Sequence, residues 1–198
     1  MTFTPIRTLS ARATCWSVVD CGAQVWFFEE RPRRVREIRL GFELLDETGR
    51  NGDRIAIEAR YHLSFWPTAN FKRDLEAWLG RSLTLAERAG GFDFSQLIHR
   101  ALRLDLLTRD RYRAIVGLRP PVGPEIWPAN RTPILLSLAS DAAFDVEAFH
   151  RLSDRLRQRV SASPTFHALH LPDAELWPPE HVREPTPSEI IGGDEVPW

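Results

Sequence analysis

The chain has few of the features that would place it outside a reducing compartment or in a membrane. It has 198 residues and only two cysteines, Cys15 and Cys21, which is too few for a disulfide framework. No apolar run approaches the roughly 20 residues that a membrane-spanning helix needs, and no signal peptide is evident. We therefore expect a cytoplasmic protein that does not associate with membranes.

Catalytic motifs are missing as well. The sequence has no glycine-rich phosphate loop, no nucleophile elbow and no carboxylate cluster of the nuclease kind. His167 and His170 have the spacing of a metal pair, but the cysteines lie far from them in sequence and no four-ligand pattern emerges. The sequence therefore predicts no metal, no cofactor and no enzymatic activity.

Lysine is nearly absent, and the positive charge is concentrated in one part of the chain. Residues 1–120 carry 20 Lys/Arg against 15 Asp/Glu, whereas residues 121–198 carry 6 against 12. The segment 172–198 alone has 1 basic residue against 7 acidic ones. A basic body with an acidic tail is typical of a nucleic-acid binder whose tail competes for the site or binds a partner.

Three strands are predicted in the first third of the chain. The first covers Ala13–Phe28 and is interrupted by a bulge or tight bend at Asp20–Gly22. A charged loop, Glu29–Arg34, leads to the second strand. This strand has an apolar face of Ile38, Leu40, Phe42 and Leu44 and a polar face of Glu37, Arg39, Gly41 and Glu43. Such alternation predicts a strand that is buried on one face only. After a turn over Asp46–Asp53, the third strand spans Arg54–Trp66.

A helix follows the third strand. It is predicted over Asn70–Leu79, with Asn70 as the N-cap and Gly80 just past its C-terminal end. Two short helical segments, Thr84–Ala89 and Phe92–His99, come next. Two more strands, about Ala101–Leu107 and Tyr112–Leu118, are joined by a hairpin at residues 108–111.

The remainder of the chain adds smaller elements. Ile134–Leu138 is predicted to form a short additional strand that packs on the β-barrel proposed below for the preceding strands. Phe144–Val160 has the apolar spacing of one amphipathic helix. Beyond Leu171 the composition becomes rich in proline and acidic residues, which predicts a disordered tail over 172–198.

Three strands, a helix and two further strands are the element order of the OB-fold, a five-stranded Greek-key β-barrel with a helix between strands 3 and 4. We therefore expect an all-β fold with helical elaborations over residues 1–171. In this fold the loops that join strands 1–2 and 4–5 flank the binding face. Both loops are rich in arginine and aromatic residues.

Arginines supply the cations for phosphates and aromatic rings stack on bases, which is the chemistry of a groove for a single strand. We expect the two loops to converge on one nucleic-acid site. The candidate residues are Trp26, Phe28, Arg31, Arg33, Arg34, Arg36, Arg39, Arg60, Arg109, Arg111, Tyr112 and Arg113. The competing interpretation is that the charged loops are simply solvated. Trp16, Tyr61 and Trp78 are expected to belong to the core.

The last five residues, Asp194, Glu195, Val196, Pro197 and Trp198, resemble the C-terminal tip of bacterial single-stranded DNA-binding proteins. A terminal aromatic can enter an apolar pocket while the acids meet basic residues around its rim. The resemblance implies that this tip recruits partner proteins.

Four segments resemble a family of phage and prophage proteins of replication and recombination. They are Val19–Gln24, Tyr61–Phe65, Asn70–Arg81 and Gly91–Phe94, and the similarity covers roughly residues 11–170. Relatives tend to have a glycine ahead of strand 4, where this chain has Leu97–Arg100. The resemblance implies an OB-fold protein that binds single-stranded DNA in a bacterial host's cytoplasm.

Together these features predict a protein that coats single-stranded DNA without sequence preference and recruits replication or recombination proteins through its tip. Self-assembly into a homo-oligomer is left open. The alternative, since fold alone does not determine function, is a protein-interaction adaptor that does not bind DNA.

Overall fold

The computed structural model describes residues 7–109, 112–139 and 143–171. Within them the chain forms one sheet of six strands and four short α-helices. The strands are β1 (Arg7–Phe28), β2 (Arg31–Thr48), β3 (Arg54–His62), β4 (Ala101–Arg109), β5 (Tyr112–Arg119) and β6 (Ile134–Leu136). The helices are α1 (Asn70–Leu79), α2 (Val146–His150), α3 (Asp154–Ser161) and α4 (Pro164–His167). The predicted β-rich class is confirmed.

The strand order is β3-β2-β1-β4-β5, and β6 pairs with β1. Neighbours along this path are antiparallel, whereas β6 runs parallel to β1. No ladder joins β3 to β5 among the described residues, so the sheet does not close into the predicted barrel there. Helix α1 contacts both β3 and β5.

The main core lies between the inner face of the sheet and α1. The apolar face predicted for the second strand is confirmed, because Ile38, Leu40, Phe42 and Leu44 are all buried in this core. From α1, the Trp78 ring meets Phe42 edge-on at a centroid distance of 5.7 Å. The indole N–H of Trp78 also donates a hydrogen bond of 2.9 Å to the Ala101 carbonyl. Helix α1 is therefore fixed to the sheet by packing and by a directional contact.

The opposite face of the sheet is covered as well. Strand β1 sends Val18 into the main core and Val19 into a second core. That second core is built with β6 and the three C-terminal helices, and its members include Cys21, Ile134, Leu136, Phe149, Leu156, Val160 and Phe166. The predicted half-buried second strand is thus wrong in one respect: Glu37 and Glu43 on its polar face are fully buried.

Several local predictions are confirmed. The strand register shifts between Asp20 and Gly22, where a bulge was expected. Gly80 ends α1 in the left-handed conformation with φ 67°, as expected of a C-cap glycine. The segment predicted as a short strand contains β6.

Two helix predictions are wrong in detail. Asn70 is the first residue of α1 and Ala69 occupies the N-cap position without a side-chain hydrogen bond. The single helix predicted over Phe144–Val160 is divided into α2 and α3. The division occurs because Ser153 starts a new helix, with its hydroxyl accepting a hydrogen bond of 3.4 Å from the Leu156 N–H.

No helix in the described part of the chain is both long and apolar enough to cross a membrane.

Candidate nucleic-acid interface

Strands β1 and β2 continue past the rest of the sheet as a two-stranded ribbon, here defined as residues 22–28 and 31–37. Their pairing runs without interruption from Gly22 opposite Glu37 to Phe28 opposite Arg31. Only Glu29 and Glu30 form the turn, and both have positive φ, 48° and 63°. Two consecutive positive φ values are the pattern of a type I′ hairpin turn, which matches the twist of paired strands.

The predicted loop over Glu29–Arg34 is therefore wrong. Arg31, Arg33 and Arg34 lie on β2, because strand pairing with β1 satisfies the backbone up to the turn. Their side chains alternate between the two faces of the ribbon. Arg33 shares a face with its cross-strand partner Trp26, and Arg34 shares the other face with Val25.

Trp26 lies against two residues of β3. The guanidinium carbon of Arg60 is 4.1 Å from the Trp26 ring centroid, within the range of a cation–π contact. The His62 ring meets Trp26 edge-on, with 4.6 Å between centroids. The indole N–H of Trp26 is buried and has no acceptor among the described residues.

These side chains line a cavity of about 520 Å³. Its wall includes Trp26, Arg60, His62 and Trp66, and Trp66 is 74% exposed. An adjoining cavity of about 470 Å³ shares Arg60, Tyr61 and Asn70 with the first and extends to Arg73 and Arg113. We call the two cavities together the β3 groove.

A group of arginines surrounds one buried carboxylate beside this groove. Glu37 is fully buried and accepts hydrogen bonds of 2.8 Å from Arg39 Nε and from Arg159 Nη2. Burial opposes the ionisation of Glu37, but the hydrogen bonds from Arg159 and Arg39 outweigh it and lower the pKa of the carboxyl. Glu37 is therefore an anion at neutral pH.

The charges of this cluster also act on Arg60. Burial lowers the pKa of Arg60, Glu37 raises it, and the neighbouring cations of Arg39, Arg159 and Arg155 lower it further. Arg60 is paired with Arg39 across β2 and β3. One carboxylate thus faces several guanidiniums, which leaves excess positive charge at the Trp26 end of the β3 groove.

Three of the predicted cations have acidic partners. Arg36 pairs with Asp20, Arg39 with Glu37, and Arg113 with Glu47 at 2.5 Å. By contrast, neither Arg31 nor Arg34 forms an ion pair with any residue the structure describes. Local pairing therefore reduces the field at some of the predicted positions but not at Arg31 and Arg34.

The prediction that the two hairpin tips converge on one site is wrong, as the strand register shows. The β1–β2 turn follows Phe28 at the end of β1, whereas the end of β4 pairs with its beginning, with Thr108 opposite Arg7. The two tips thus lie at opposite ends of β1. The candidate residues that the structure does bring together are Trp26, Arg60 and Arg113, along the β3 groove.

Some candidate residues cannot be placed. Arg111 and the tip Asp194–Trp198 lie outside the described residues. The side chains of Phe28, Arg109 and Tyr112 also fall outside them, although these residues belong to strands.

Sequence reasoning missed three residues at this site. His62 and Trp66 belong to the predicted third strand, but that strand ends early at His62. The structure places His62 against Trp26 and Trp66 on the wall of the same cavity. Arg159 comes from α3, 122 residues away from Glu37. The one signal in the sequence was the position of Trp66 immediately before Pro67, because a proline at that place ends the strand.

In the described part of the chain, no group of three or more His, Cys, Asp or Glu side chains could hold a metal ion. Comparisons of the chain with protein families, with curated proteins and with solved structures find no match. The geometry of the β3 groove is therefore the basis for a functional proposal.

Proposed function

We propose that this protein binds single-stranded DNA without sequence preference in the β3 groove. The observation that carries the proposal is the arrangement of Trp26, His62 and Trp66 around one cavity, with Arg60 stacked on Trp26. Aromatic rings accept any base by stacking, and nearby guanidiniums neutralise phosphates. This combination is the one that a sequence-tolerant single-strand site requires.

The exposed indole of Trp66 is the first stacking platform in this proposal. Arg60 covers one face of Trp26 in the unbound protein, so a base that stacks on Trp26 displaces the guanidinium toward a phosphate. Arg39 and Arg159 hold the local charge positive although Glu37 is ionised. Each stacked base contributes about 1–3 kcal/mol.

The sheet order supports an OB-type architecture as part of the same proposal. The order β3-β2-β1-β4-β5, with α1 between β3 and β4, is that of an OB barrel laid open between β3 and β5. The outer surface of strands 2 and 3 is where OB-folds bind oligonucleotides. Arg39 and Arg60 lie on that surface as a cross-strand pair.

We further propose that the protein acts in phage-type replication or recombination and recruits partners through Asp194–Trp198. This part of the proposal rests on the resemblances of the sequence to phage proteins and to the tip of bacterial single-stranded DNA-binding proteins.

A fluorescence titration with an unstructured oligothymidylate at two salt concentrations tests the DNA-binding proposal. We expect quenching of tryptophan emission and an affinity that falls with added salt, by a slope of about 0.7 per phosphate contacted. Trp66→Ala should weaken binding by about 1–3 kcal/mol. Arg60→Ala should weaken binding and also reduce the salt slope.

Matched controls lie away from the groove. Leu85 is 78% exposed, so Leu85→Ala removes an exposed apolar side chain and is the control for Trp66→Ala. Arg81 pairs with Glu87, and Arg81→Ala removes a guanidinium as the control for Arg60→Ala. Both should bind as the unmodified protein does. An absence of binding even at low salt would reject DNA binding and leave the adaptor function.

A further inference from the structure

The face of the ribbon that points away from Trp26 is unusually apolar for an exposed surface. Successive residues of a strand point to opposite faces, so Phe27 and Val25 lie on the side opposite Trp26. Phe27 is 73% exposed and Val25 is 51% exposed. Their cross-strand partners are Pro32 and Arg34. We call this surface the outer ribbon face.

The edge of β2 in this region is open but poorly suited to pairing with another strand. Strand β3 ends where His62 pairs with Glu37, and beyond that pair no strand among the described residues joins β2. Pro32 lacks an N–H, and charged side chains on an edge discourage strand addition. The outer ribbon face is therefore more suited to a ligand bound through side chains than to a β-strand partner.

The charge of the β2 edge indicates which ligand this is. Arg31 immediately precedes Pro32, and Arg34 lies two residues after Pro32 on the same face of the strand. Neither arginine has an acidic partner in the part of the chain that the structure describes. An exposed aromatic ring beside such guanidiniums combines a stacking surface with phosphate contacts. The carboxylates of Glu29 and Glu30 at the turn disfavour phosphate there, so a strand would cross the arginine-bearing β2 edge.

We propose that the outer ribbon face is a second nucleic-acid contact, in which Phe27 stacks on a base and Arg34 contacts a phosphate. Arg31, which lies on the Trp26 side of the same β2 edge, contacts a neighbouring phosphate. A strand bound in the β3 groove then passes over the β2 edge and is held on both sides of the ribbon. This inference rests on the proposed binding of single-stranded DNA. It adds a contact that only a strand longer than the groove reaches.

Binding of two oligothymidylates of different length tests the proposal. A strand of about 4 nucleotides occupies the groove alone, whereas one of about 16 nucleotides is long enough to reach the outer ribbon face. Phe27→Ala should leave the affinity for the short strand unchanged and lower that for the long strand at least about 5-fold. Because Phe27 is exposed, we expect the variant to fold normally.

Two further variants make the result unambiguous. Leu85→Ala removes an equally exposed apolar side chain elsewhere and should change neither affinity. Trp66→Ala should weaken both strands, and its failure to do so would contradict the groove rather than the outer ribbon face. Photo-crosslinking of iodouracil-substituted strands should label Phe27 only with the long strand. Equal affinity of Phe27→Ala and the unmodified protein for the long strand, or a loss for the short strand as well, would overturn the proposal.

Discussion

Two glutamates on β2, Glu37 and Glu43, are fully buried and hold later parts of the chain against the sheet. Glu37 bonds to Arg159 of α3. Glu43 accepts hydrogen bonds of 2.7 and 2.9 Å from the backbone N–H groups of Asn130 and Arg131. A buried carboxylate is costly unless it is fully paired, so each one enforces a single position of the segment it binds.

Removing the charge of Glu37 should therefore destabilise the protein. In Glu37→Gln the amide cannot accept strongly from both Arg39 and Arg159, which leaves the partly buried Arg159 without its counter-charge and Arg39 with only the weaker contact to Glu58. We expect the free energy of unfolding at neutral pH to fall by about 3 kcal/mol, as measured by urea denaturation. The control is Glu58→Gln. Glu58 is 43% exposed, and its contact with Arg39 is longer, at 3.6 Å, than the contact between Arg39 and Glu37. That substitution should cost less than about 1 kcal/mol.

The pH dependence of this difference checks its electrostatic origin. The folded-state pKa of Glu37 is lowered from the ordinary value of 4.5, so its stabilising contribution is complete above that pH. The contribution disappears as the pH falls through the lowered value. Stability curves of the unmodified protein and Glu37→Gln should therefore converge in acid. A difference that stays constant down to about pH 2 would attribute the effect to packing instead.

At the scale of elements, the ribbon turn combines an unfavourable backbone conformation with two negative charges that oppose the proposed DNA binding. Glu29 and Glu30 both adopt positive φ, which costs non-glycine residues about 1–2 kcal/mol each. The pair Asn-Gly is suited to this turn. The double substitution Glu29→Asn and Glu30→Gly should raise the melting temperature by about 2–4 °C per kcal/mol gained. It should also tighten DNA binding, since two anions beside the arginines are removed.

The variant Glu29→Gln with Glu30→Gln separates the two effects. It removes the charges but keeps side chains that disfavour positive φ, so it should tighten binding without raising the melting temperature. If the two double variants have the same melting temperature, the turn is not strained in the way that its φ values indicate.

Gly22 joins the ribbon to the second core. Its φ is +70°, and a Cβ there would come within 3.0 Å of Leu138 Cδ1 and would also overlap the Ser163 hydroxyl. Gly22→Ala should thus combine backbone strain with displacement of the segment that leads into α4. Gly52 has a similar φ, +84°, with no atom within 4 Å, so Gly52→Ala gives the strain alone. We expect Gly22→Ala to cost at least about 1 kcal/mol more than Gly52→Ala in chemical denaturation. Equal costs would mean that the contact at Ser163 relaxes freely.

Which elements could be predicted from the sequence depends on how local their causes are. Alternation over Ile38–Leu44 revealed the inner face of β2, and Gly80 revealed the end of α1, because both patterns are local. The burial of Glu37 was not predictable, since its partner Arg159 comes from a helix 122 residues later. The ribbon turn has neither asparagine nor glycine, so its sequence does not indicate a hairpin and the charged residues after it predict a loop. Trp66 was not predictable as a site residue either, because only the tertiary structure places it on the same cavity as Trp26.

At the scale of the whole molecule, β1 and β2 separate two cores that share one sheet. Cys15 lies in the main core and Cys21 in the second, and both thiols are free and buried. Burial raises the pKa of Cys15, and burial together with the charge of Glu37 raises that of Cys21 to about 12. Since only the thiolate reacts appreciably, neither cysteine should react in the native protein.

The two thiols also report whether the cores unfold together. Removing the second core would expose Val19 and leave Glu37 without Arg159, so its loss should destabilise the strands that the main core needs. We therefore expect iodoacetamide to label Cys15 and Cys21 at the same denaturant midpoint, as read by mass spectrometry of the two peptides, in a single cooperative transition. Labelling of Cys21 at a lower denaturant concentration than Cys15 would show that the second core opens first. In that case the arginine of α3 beside the β3 groove would be held only loosely, and the charge of the groove would vary with that opening.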